Sequence, residues 1–163
     1  MIGLPLTFLL FSIANMCFSM LTLHTLQEAV EQAARFASTR GSTCSAGSNT
    51  CAVTVQQIAG AVAGNAAGIS ASGINLTLIP DSGSANQISC SPLSSCLSSC
   101  STGCNGSRTS VWPSSTNADN TPGKDIVLSA NVALKAPMFM FWNGTSRIGN
   151  VGFGAYTRQR LMF

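Results

Sequence analysis

The sequence predicts an α+β protein: a long N-terminal helix (transmembrane, then amphipathic), a second short helix, and a small antiparallel sheet of about three strands with a disulfide-stapled, Ser-rich insertion. Three observations carry this. Ile2–Leu23 is an apolar run of 22 residues without a charge. Six of the seven cysteines follow that run. Ile74–Ile79, Asp125–Lys135 and Val151–Arg160 alternate apolar and polar side chains, the period of a half-buried strand.

In the first element the apolar run passes without a turn residue into Leu26–Thr39. Leu26, Val30, Ala33 and Ala37 recur at helical spacing, and His24, Glu28, Glu31 and Arg35 repeat it two residues earlier. Two residues turn a helix by about 200°, so the stripes lie on opposite faces. One helix over Ile2–Thr39 would be roughly 57 Å long. A stretch of about 20 apolar residues matches a hydrocarbon core about 30 Å thick, where a helix satisfies its own backbone. A cleaved secretory signal competes with this reading, but it requires a basic n-region, an apolar stretch of about 7–15 residues and a small-residue cleavage site. A buried core helix also competes, because Gly3, Pro5, Ser12, Asn15 and Ser19 dilute the apolar run. We expect a retained membrane and stalk helix over 1–40 and an extracytoplasmic domain over 41–163. Gly3, Pro5, Ser12, Ala14 and Ser19 are the candidate assembly residues of that helix, the small ones leaving room for close helix approach.

Only 8% of residues are charged and the net charge is +3. That dispersed charge gives no footprint for nucleic acid, and none is expected as a partner. A surface rich in Ser, Thr, Asn and Gly suits one covered by neighbours or facing an extracellular medium. Cys44, Cys51, Cys90, Cys96, Cys100 and Cys104 are an even set in a loop-rich region, which points to disulfides in an oxidising compartment. Zinc is the rival ligand. The spacing C-x5-C-x3-C-x3-C contains no C-x2-C pair, which argues against both zinc and a thiol oxidoreductase.

After the helix, Arg40 and Gly41 suit its carbonyl end, and Cys44 and Cys51 bracket a short loop that their pairing would close. Thr54–Ile69 predicts the second helix, with Val55, Ile58, Val62 and Ala66 on its apolar face and Gly60, Gly64 and Gly68 allowing it to lie flat on a neighbour. Ile74–Ile79 predicts a strand ending at the turn Pro80-Asp81-Ser82-Gly83. Residues 84–123 form the insertion: eleven serines and four cysteines lie between Ser89 and Thr116. Its side chains are expected to bury too little to order it, so that disulfides must, in one of three connectivities. Ile126, Leu128, Ala130, Val132 and Leu134 point to one face of the next strand. Met138, Phe139, Met140, Phe141 and Trp142 then break the alternation. We expect Met138, Phe139, Phe141 and Trp142 to form an inter-subunit contact, the alternative being a loop folded back over the sheet. Val151–Arg160 predicts the last strand.

No catalytic constellation emerges. The one histidine, His24, sits at the membrane boundary, Glu31 and Arg35 suit a helix-surface ion pair, and no serine lies in a G-x-S-x-G context. We expect no enzyme, no metal and no cofactor.

Leu4-Pro5-Leu6 within the apolar run, followed by Thr25-Leu26-Gln27-Glu28-Ala29-Val30-Glu31-Gln32-Ala33-Ala34-Arg35-Phe36-Ala37, resembles TadE-like pilus proteins. The C-terminal order is similar too: the strand Ile126–Leu134, Pro137 with bulky residues to Trp142, the strand Val151–Tyr156, and Arg158/Arg160. The resemblance covers about 90 residues at the two ends. It implies a pilin-like structural subunit, held in a bacterial inner membrane with its domain outside the cytoplasm and then assembled into an extracellular pilus. Its partners would be copies of itself, other pilins and the pilus assembly platform. The alternative is a non-polymerising, membrane-anchored accessory pseudopilin of a Tad-type pilus or secretion machine. The chain departs from the family in having no basic leader and no Glu before Glu28. A start upstream of Met1, a processed end at Met1, and a subunit that does without that Glu all remain open.

Overall fold

A computed structural model describes residues 3–40, 45–46, 49–50, 52–114, 118–134 and 151–162. The long helix α1 spans Gly3–Ser38 without interruption. The short strands β1 (Ser45–Ala46) and β2 (Asn49–Thr50) pair antiparallel beyond it. Helix α2 spans Val55–Asn65. Strands β3 (Ile74–Ile79), β4 (Ile88–Cys90), β5 (Asp125–Leu134) and β6 (Val151–Arg160) form one antiparallel sheet in the order β4-β3-β5-β6.

The periodicity of α1 becomes its packing. Leu26, Val30, Ala33 and Ala37 are buried, joined by Ala29 and Ala34. This half of α1 packs on β5 and β6 and alongside α2. Four alanines among those six residues give a smooth surface, so helix and sheet approach closely with little side-chain entropy to lose. On the sheet, Ile74, Leu76 and Leu78 of β3 and Ile126, Leu128, Ala130 and Val132 of β5 face the helices and are buried. Their registers, Leu76 opposite Ala130 and Leu78 opposite Leu128, put the two apolar rows side by side. The outer face carries Asn75, Thr77, Ser129, Asn131, Tyr156, Arg158 and Arg160.

Thr54 starts α2 with a capping box: its hydroxyl accepts from the Gln57 N–H while the Gln57 side chain accepts from the Thr54 N–H. Val55, Ile58, Val62 and Ala66 are buried as their spacing requires. The glycines correct one expectation. Gly60 and Gly64 lie on the exposed side, where an added Cβ would meet nothing within 4 Å. Ala59, fully buried, stands in the packed face instead. Gly68 lies past the helix at φ +79°, a left-handed turn position that favours glycine.

Two further corrections concern the insertion. It adds a fourth strand, β4, where about three were expected, pairing Cys90 with Leu76 and Ile88 with Leu78. It is also part of the core and not only a stapled surface: Leu93, Cys96 and Trp112 are buried in the same cluster as α1 and β5. Val53 accepts from the Trp112 N–H at 2.8 Å and Ser110 from the Val55 N–H at 3.1 Å, so residues 110–112 return to the start of α2. The Arg108 guanidinium donates to the Leu97 and Cys100 carbonyls, closing the loops between.

Candidate functional site

The feature that sets this chain apart is the half of α1 that its own fold leaves uncovered. Leu6, Phe11, Ile13, Met16, Phe18 and Leu21 expose between 54% and 69% of their surface. α1 is long and apolar enough to cross a membrane, and its most apolar stretch is not buried against the rest of the protein. Asn15, Ser19 and Thr22 within this half satisfy themselves inside the helix. Asn15 donates to the Phe11 carbonyl, Ser19 to Asn15, and Thr22 to Phe18, all at 2.8–2.9 Å. Thr25 donates to the Leu21 and Thr22 carbonyls. Such bonds back to the preceding turn remove the penalty of a bare polar group in an apolar medium. Sequence reasoning takes Asn15 only as diluting the run, and Ser19 as a diluting residue that also leaves room for close helix approach. Their i−4 carbonyl partners, present for any Ser, Thr or Asn inside a helix, are the signal that explains them.

Of the candidate assembly residues, Gly3 and Pro5 lie in the first turns of α1. Ser12 and Ala14 are exposed, and Ser19 is half-buried. Ser12, Ala14 and Ser19 lie in the same uncovered half. Cys17, exposed there too, is a free cysteine.

At the other end of the domain, exposed ion pairs cross between neighbouring segments of the sheet. Asp125 accepts from Arg158 at 2.6 Å and from Arg160 at 3.2 Å. These bonds hold the Asp125 carboxyl below its ordinary range. The Lys124 ammonium, 2.8 Å from Asp81, lowers that carboxyl and is itself raised. Asp119, almost fully buried, accepts from both the Ser82 N–H and the Ser82 hydroxyl, anchoring the turn after β3. Arg35 and Glu31 form the expected helix-surface pair.

The second set of cysteines is paired as Cys90–Cys96 and Cys100–Cys104. Cys44 and Cys51 lie outside the described residues, as do Met138, Phe139, Phe141 and Trp142 of the expected contact segment. Among the described residues no group of three or more His, Cys, Asp or Glu side chains could hold a metal ion.

Comparison with protein-family models, with curated proteins and with solved structures gave no match to this chain.

Proposed function

We propose that this protein is a pilin-like structural subunit, anchored in a bacterial inner membrane by the first half of α1 and assembled through that helix into an extracellular filament. The observation that carries the reading is the single unbroken α1 with two unlike halves: one buried under its own domain, one apolar and bare. Burying a large apolar side chain is worth about 1.5–3 kcal/mol. Leaving six or more such residues in water forfeits on the order of 10 kcal/mol, comparable to the whole stability of a domain. A bilayer removes that cost before assembly, and a bundle of like helices removes it afterwards. The TadE-like resemblance, the order of elements and the paired cysteines support the same reading.

The experiment is extraction of the full chain from membranes in mild detergent, with negative-stain imaging of surface appendages and mass spectrometry of their subunit. Filaments or a ladder of oligomers containing this chain support the proposal. A discrete, detergent-soluble particle with no filament identifies instead the accessory, non-polymerising subunit.

A further inference from the structure

We infer that neighbouring copies meet front to back, with the outer face of the sheet around Arg158 and Tyr156 in one copy seated on the polar stripe of α1 around Glu28 in the next. This deepens the filament reading and rests on it. The two surfaces lie on opposite sides of the molecule, because α1 turns Leu26, Val30 and Ala33 toward the sheet and Glu28 away from it.

Their charges are complementary. Arg158 and Arg160 share the single carboxylate of Asp125, leaving the described sheet face one positive charge in excess. On α1, Arg35 neutralises Glu31, while Glu28 accepts only from the Gln32 amide among the described residues. The heights also agree. The Met162 N–H donates to the Ser38 carbonyl at 3.0 Å, so β6 and α1 end together. Four strand residues back to Arg158 descend about 13 Å, and the same descent along α1 is about nine residues, to the level of Glu28 and Ala29. Copies anchored in one bilayer stand parallel and level, so Arg158 of one faces Glu28 of the next without an axial shift.

The sheet face is also shaped for a helix. Tyr156 is 64% exposed and offers an aromatic anchor. Below it Gly152 presents bare backbone, although a Cβ there would meet nothing within 4 Å, so the protein's own packing does not demand glycine. Glycine inside a strand often marks close approach by another backbone. Contact between two different faces runs head to tail, and it stays open-ended wherever its rotation does not close a ring.

The test uses the full chain in membranes, with Cys17→Ser as background. Glu28→Cys together with Arg158→Cys should give, on mild oxidation, a ladder of disulfide-linked trimers and higher multimers, while each single substitution stays monomeric. Glu28→Lys alone should lower the oligomer yield about fivefold, as loss of a surface ion pair allows, and adding Arg158→Glu should restore it. Dimers from either single cysteine would show a symmetric contact and overturn the inference. So would a double variant that stays monomeric in membranes where the parent forms oligomers, and there the filament reading would stand. Absence of oligomers in the parent itself would remove both.

Discussion

Asp125 shows how much of this domain's tuning rests on single side chains. Its carboxyl is held below the ordinary value of 3.8, first by Arg158 and then by Arg160. A carboxyl depressed on folding adds stability that is present above its unfolded pKa and lost as pH falls through the folded value. The melting temperature should therefore be flat from neutrality down to about pH 5 and fall below about pH 4. Asp125→Asn should flatten that acid limb in a calorimetric pH series; an unchanged limb would assign the loss to other carboxyls. Thr54 offers a second residue-scale test. Its hydroxyl and the Gln57 side chain close a reciprocal cap on the first turn of α2, so Thr54→Ala should cost about 1 kcal/mol, read as a lower urea midpoint with an unchanged slope.

At the scale of elements, legibility followed length. α1, β3, β5 and β6 were readable because each repeats its period long enough to separate 3.6 from 2, and their buried residues match the predicted faces. β4 is three residues long and carries too little period to see; only its pairing with β3 defines it. Trp112 and Leu93 were hidden in a serine-rich background, since composition averages over the few residues that reach the core. The Gly60–Gly64 spacing suggested a packing face, yet spacing alone does not say which side of a helix is covered. Of the candidate site, the bare half of α1 was legible in the apolar run, whereas the outer sheet face needed the register of β5 with β6. The disulfides separate by the same logic of place. Each closes a short loop and is worth about 2 kcal/mol on the chain-entropy model. Cys90 and Cys96 are fully buried, whereas Cys100 and Cys104 are not. Mild reductant should therefore open Cys100–Cys104 first, seen as selective alkylation of that pair by mass spectrometry. Replacing Cys90 and Cys96 by Ser should cost more than the loop term, because two hydroxyls would enter the core.

At the scale of the whole molecule, a bare apolar half and a buried half are laid end to end on one helix and share almost no contacts. The described core begins at Leu26 and ends at Leu161, and no residue of the apolar half of α1 contributes to it. Sites without shared partners act additively, so changes in one half should leave the other intact. Ala14 is the sharpest place to test this, being exposed in the middle of the apolar half. An arginine at the centre of a membrane helix costs roughly 3 kcal/mol on insertion scales and more when it must enter a dry helix bundle. Ala14→Arg should therefore reduce membrane retention and filament yield by about a hundredfold or more. The outer domain should keep its melting temperature, because its nearest core contact, Leu26, lies about 18 Å farther along the helix. Circular dichroism of the extracted variant, beside a filament count, separates the outcomes: lost filaments with an unshifted melt confirm the division of α1, and normal filament yield removes the assembly role from its first half.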